Sequence, residues 1–155
     1  MNETNMNRLP VPTWNQCGVN TAPKAAALPE LSGDWGDANF AVTLPAGVGE
    51  SEEEFTSFTE SGMGAEADAF LLENAAVRHA LTVAENVTVA EPAVFEFTLD
   101  AAHPGTMSVL DVDAKANSSL TLVQVLRGDA ENGAAANLVR IRAAEGAHVR
   151  LVQIQ

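Results

Sequence analysis

The chain has 155 residues, enough for one modest domain with a core and too few for two full ones. Its 21 acidic residues against 8 basic leave a formal net charge of −13, which argues against nucleic acid or an anionic membrane as the main partner. A single cysteine excludes a disulfide framework and zinc-ribbon spacing, and no apolar run approaches the ~18 residues of a membrane span.

The N-terminus, Met1 to Arg8, is polar with no apolar stretch behind it, so a secretory signal is not expected and the cytoplasm is the expected location. Residues 1–49 are broken by Pro10, Pro12, Pro23, Pro29 and Pro45 and by several glycines. That density predicts an irregular lead-in of short extended pieces, anchored by Trp14 and Trp35. Phe40–Leu44 is a short strand stopped by Pro45. Ser51 followed by Glu54 has capping-box spacing, and the acids Glu52–Glu54 suit a helix N-terminus in water. A second helix is predicted from about Ala65 to Asn74, with Ala67, Phe70 and Leu71 on one face and Asn74 at its margin. Ser61–Gly64 separates the two helices.

From about Arg78 the period becomes two. Leu81/Val83, Val87/Val89, Phe95/Phe97/Leu99, Met107/Val109, Leu120/Leu122, Leu138 and Val149/Leu151 alternate with polar or small residues, as half-buried strands do. The intervening breaks carry Asn86, Asn117 and Gly146, residues that tolerate a left-handed corner. The last third also repeats itself. Val112–Val125 aligns without a gap on Ile141–Ile154, with Leu-Val-Gln identical in both copies. Strand, corner and strand in a recurring register predict a β-solenoid; a jelly-roll or cupin-like barrel is the competing arrangement. The division expected is 1–76, irregular and helical, and 77–155, solenoid rungs. The second copy runs into the C-terminus without a cap, so the chain reads as part of something larger, a truncated product or one that needs a partner. Such an open edge predicts marginal stability or self-association. Of the acids, 18 precede Lys115 and 3 follow it, whereas 5 of the 8 basic residues lie from Lys115 onward, so the repeat-bearing tail is nearly charge-balanced.

Candidate chemistry is sparse. Cys17, beside Trp14 and Val19, reads as a small buried apolar residue rather than a reactive or cluster-binding thiol. His79, His103 and His148 are far apart and read as solvent-facing or turn-bonded. His148 stands where the other copy has Ser119, so nothing there demands an imidazole. Asp111 and Asp113 share a strand face; paired carboxylates can do acid–base or metal work, but more often they decorate the wet side of a sheet. No phosphate loop, nucleophile elbow or His-Glu metal helix is present. No catalytic, cofactor-binding or metal residue is assigned, and the chain is not expected to be an enzyme.

Several segments, in order, resemble the SufB/SufD family of SUF iron–sulfur cluster assembly scaffolds, and its shorter SufD-like members in particular. Asn7–Asn20, containing Pro12-Thr-Trp14 and Val19-Asn20, looks like their opening. Ser61–Phe70 is similar to their short helix before the solenoid, and Val87–Pro92 and Ala143–Gln153 to their first rungs. The resemblance implies a right-handed parallel β-helix behind a helical N-terminal region, in a non-catalytic subunit. Its partners would be a SufB-like subunit or a second SufD-like chain through the β-helix. A SufC-like ATPase would join only through C-terminal helices that have no counterpart here. An iron–sulfur cluster would be handled by the full assembly and not by this chain alone. Family members are at least about twice as long, and no functional residue carries over to a position of this chain.

Overall fold

The computed structural model describes residues 5–6, 22–23, 40–51, 55, 64–128 and 134–155. The lead-in with Trp14, Cys17 and Trp35, and the helix expected after Ser51, lie outside these residues. The described elements are β1 (Asn5–Met6), β2 (Ala22–Pro23), β3 (Phe40–Thr43), β4 (Val48–Glu50), α1 (Ala65–Asn74), β5 (Val77–Val83), β6 (Ala93–Leu99), β7 (Gly105–Ala114), β8 (Ser119–Gly128), β9 (Ala134–Ala143) and β10 (His148–Ile154). The protein is mainly β.

Strands β5 to β10 alternate between two four-stranded sheets, ordered β10-β8-β6-β3 and β4-β5-β7-β9. Within each sheet these strands pair in parallel. At one end of both sheets the direction reverses. β3 lies antiparallel to β6, and β4 antiparallel to β5. A tight turn joins β3 to β4, where the Val48 N–H donates to the Pro45 carbonyl at 3.2 Å and Gly47 takes φ 95°. This reversed pair was not foreseen beyond the strand at Phe40.

The repeat read from the sequence is the register of the sheets. Val112 faces Ile141 on β7 and β9, and Leu120 faces Val149 on β8 and β10; partners such as Gln124 and Gln153 are 29 residues apart. The first turn of the repeat is longer. β5 and β7 pair across 31 residues, as Thr82 and Asp113 do. The excess lies between Thr88, bridged to Ser119, and Ala93, which faces Leu122. Ala90, Glu91 and Pro92 fill it as an exposed bulge. This is why the strand expected at Val87/Val89 is reduced to a single bridge: Pro92 has no N–H to offer a ladder.

The corners stack. Asn86, Asn117 and Gly146 take φ 61°, 55° and 69°. The Asn86 N–H donates to the Ala116 carbonyl and the Asn117 N–H to that of Glu145, both at 2.9 Å. All three residues are those marked as breaks in the sequence, and the left-handed backbone explains their identity.

The main core lies between the sheets. Leu81, Val83, Phe95, Phe97, Leu110, Val112, Leu120 and Leu122 belong to it. A second cluster lies on the other face of the β4-containing sheet, where Leu71 of α1 packs on Met107, Val109 and Leu138. β7 is thus covered on both faces, and its buried run from Gly105 to Val112 is what a central parallel strand shows. Ala67 and Leu71 form the buried face of α1, as its spacing predicts, and Phe70 is half-buried. Asn74 is exposed and folds back so that Nδ2 donates to the Phe70 carbonyl at 2.8 Å.

Candidate functional site

The densest polar constellation joins neighbouring strands of one sheet. Asp111 on β7 and Arg140 on β9 are direct register partners, 1% and 5% exposed. Arg140 donates through Nε to Oδ1 and through Nη2 to Oδ2, each at 2.6 Å. That is the planar two-pronged fit of guanidinium on carboxylate. Both groups then reach the backbone of Phe55. Its N–H donates to Asp111 Oδ2 at 2.8 Å, and its carbonyl accepts from Arg140 Nη1 at 3.1 Å. The guanidinium of Arg142 lies 4.3 Å above the Phe55 ring.

The position of Asp111 corrects the sequence reading. Asp111 and Asp113 do share a face, yet only Asp113 meets water, where it binds Lys115 at 2.7 Å. Asp111 is buried beneath the Phe55 backbone, on the sheet face against which α1 also packs. Its carboxylate accepts three hydrogen bonds, two from a fixed cation. All of these bonds run to other parts of the same chain, so the group is committed to holding. The site is a clamp that fastens the chain at Phe55 to the sheet.

Arg140 and Phe55 were not singled out from sequence. No local pattern marks them, since the contact spans 85 residues. The stacked polar pairs had a better signal. Gln153 Nε2 donates to Gln124 Oε1 at 2.9 Å, and these are the glutamines of the repeated Leu-Val-Gln. Ser108 Oγ donates to Asn137 Oδ1 at 2.9 Å in the same stacked manner on the other sheet.

The histidines stay apart. His103 sits in a turn, with Nδ1 3.1 Å from Asp100 Oδ1, as expected of a turn-bonded residue. The same Asp100 oxygen accepts from the backbone N–H groups of His103 and Ala102 at 2.7 and 2.8 Å. The His103 N–H is the main cause holding the Asp100 carboxyl below its ordinary range, against an opposing effect of desolvation. His148 is exposed and faces Ser119. His79 departs from the solvent-facing reading. It packs 5.3 Å from Phe40 and edge-on to Phe95, with Nδ1 3.4 Å from Glu50 Oε1. Strand alternation puts it in the row of Leu81 and Val83, which face the core. Cys17 lies outside the described residues.

A groove of about 570 Å³ opens where β9 and β10 leave the core uncovered, lined among others by Val89, Leu120, Ile141, Ala143, His148 and Val149. Among the described residues no group of three or more His, Cys, Asp or Glu could hold a metal ion. Nor is any helix among them long and apolar enough to cross a membrane. No family model, curated protein or solved structure matches the chain.

Proposed function

We propose that the chain is the N-terminal part of a SufD-like, non-catalytic scaffold subunit of the SUF iron–sulfur cluster assembly system, folded as a right-handed parallel β-helix. The observation that carries the reading is the order of its resembling segments and where they fall. The described part of Ser61–Phe70 covers the first six residues of α1. Val87–Pro92 follows the corner at Asn86, and Ala143–Gln153 surrounds the corner at Gly146, so two of them flank stacked corners. Parallel pairing throughout β5–β10, with successive strands alternating between sheets, is what a β-helix requires.

In this role the chain supplies surface rather than chemistry. The Asp111–Arg140 clamp is saturated, which suits a rigid support. The subunit would work in the cytoplasm beside a SufB-like subunit or a second SufD-like chain. The alternative is a stand-alone solenoid or cupin-like module for a protein or carbohydrate partner. Parallel strands count against its cupin form, and a chain without tyrosine and 5% aromatic offers few stacking platforms for sugars.

Co-expression with SufB-like and SufC-like proteins tests the proposal. The expected result is stable co-elution with the SufB-like subunit alone, and only trace iron and sulfide on the isolated chain after anaerobic reconstitution. Absence of co-elution by a folded chain would count against the assembly role. A stoichiometric cluster lost on Cys17→Ser would overturn the claim that no site resides here.

A further inference from the structure

We infer that Asp111, Arg140 and Arg142 form a binding site for an extended acidic peptide bearing a phenylalanine, supplied by a partner protein, and that Phe55 is the site's tethered occupant. The outer face of the β4-containing sheet divides in two. One half is apolar, with Met107 beside Ala136 and Val109 beside Leu138, and Leu71 of α1 packs on it. The other half is charged, with Asp111 beside Arg140 and Asp113 beside Arg142. The cover of the apolar half has to stay, because lifting it would put that surface into water. The charged half tolerates both conditions. Its carboxylate and guanidinium are paired when covered and hydrated when bare. As a permanent fastening the buried pair is a poor choice, since the desolvation of two ions offsets much of their attraction.

What the charged half holds has the form of a bound peptide. Asp111 Oδ2 accepts from the Phe55 N–H at 2.8 Å, and the Phe55 carbonyl accepts from Arg140 Nη1 at 3.1 Å, so both backbone groups of one residue are engaged. The exposed Arg142 adds the ring, its guanidinium 4.3 Å from the Phe55 centroid. None of these contacts requires Phe55 to belong to the same chain. Charge sets the class of ligand. In sequence Phe55 follows Glu52, Glu53 and Glu54. Arg140 is matched by Asp111, and Asp113 is engaged by Lys115 at 2.7 Å, which leaves Arg142 to face an acidic segment. A net charge of −13 repels acidic peptides from the rest of the surface. It equally opposes a second copy of this chain, which favours a segment from a different protein.

A tethered occupant competes at an effective concentration on the order of millimolar, so an added peptide meets a filled site in the wild-type chain. Phe55→Pro removes both the N–H and the ring while leaving Asp111, Arg140 and Arg142 in place. Fluorescence anisotropy on the whole chain, with a labelled peptide of the sequence of residues 50–58, tests the inference. Phe55→Pro is expected to bind this peptide at least about tenfold more tightly than wild type does. Adding Arg142→Gln should weaken that binding about threefold, the effect of losing a cation over the ring. A peptide with alanine in place of its first phenylalanine should bind more weakly still. Circular dichroism confirms folding, and Phe55→Ala, which vacates the place above Arg142, serves if the proline variant does not fold. A folded variant that binds the peptide no more tightly than wild type, or binds the alanine peptide equally well, would overturn the inference. So would sedimentation in which wild type dimerises and Phe55→Pro does not, since the occupant would then come from a second copy.

Discussion

At Gly146 the backbone has φ 69°, and a Cβ there would sit 2.4 Å from Asn117 Oδ1. The amide can rotate away, whereas the left-handed conformation cannot be relieved, so Gly146→Ala should cost about 1–2 kcal/mol. Urea denaturation measures it, and Asn117→Gly is the control, expected to change stability by no more than about 1 kcal/mol. The clamp predicts a larger contrast. Asp111→Asn leaves the Arg140 guanidinium buried without its counter-charge, a loss of about 3–5 kcal/mol. Asp111→Leu with Arg140→Met removes both charges and should cost less than either single change. It also removes the two hydrogen bonds that Asp111 and Arg140 make to the Phe55 backbone, worth about 1 kcal/mol each. A double-mutant cycle separates the two contributions. Asp100 gives a sign that can be read by NMR titration. Its carboxyl is held below the ordinary value chiefly by the His103 N–H. Whatever stability it adds is therefore present above the unfolded-state pKa and disappears as pH falls through the lower folded-state value. Its titration midpoint should move upward in urea.

Among the elements, the bulge at Ala90–Pro92 is the most testable. Deleting Ala90 and Glu91 leaves the same spacing from Thr88 to Ala93 as from Ser119 to Leu122, so the first turn of the repeat takes the 29-residue register of the others. Both residues are exposed, and the deletion should shift stability by less than about 1 kcal/mol, as shortening a surface loop does. Leu71→Ala on α1, by contrast, should cost about 2–5 kcal/mol, since it empties a fully packed site against Met107, Val109 and Leu138. These two elements also show how far the sequence could be read. α1 was legible to its ends because Ala67 and Leu71 recur at helical spacing between Gly64 and a run of period two. The corners were legible because only a few residue types tolerate a left-handed backbone. The 29-residue register was visible wherever Leu-Val-Gln recurs. The first turn of the repeat was not, because the bulge puts it out of phase. The reversed strand β4 is three residues long and carries Gly49, too little for an alternation to show. Asp111 was misread as wet because its burial comes from elements placed across the sheet by long-range packing, which strand periodicity does not encode. Arg140 and Phe55 escaped notice for the same reason.

For the molecule as a whole, charge and topology act in opposite directions. A net charge of −13 on 155 residues repels itself, and screening relieves that repulsion. Moderate sodium chloride should therefore raise the urea midpoint of the dilute chain, and an unchanged midpoint would show the acids to be too dispersed to matter. The topology concerns time rather than strength. Among β5–β10, every in-sheet pairing joins residues 29 or 31 positions apart and none joins the two ends of the chain. The entropy of closing a loop depends on its length only logarithmically, so each closure faces nearly the same barrier. Within β5–β10 no step requires a distant strand to be found, and the stacked corners can act as successive waypoints. Folding should advance strand by strand from an early formed pair, at a rate that lengthening the stack would scarcely change.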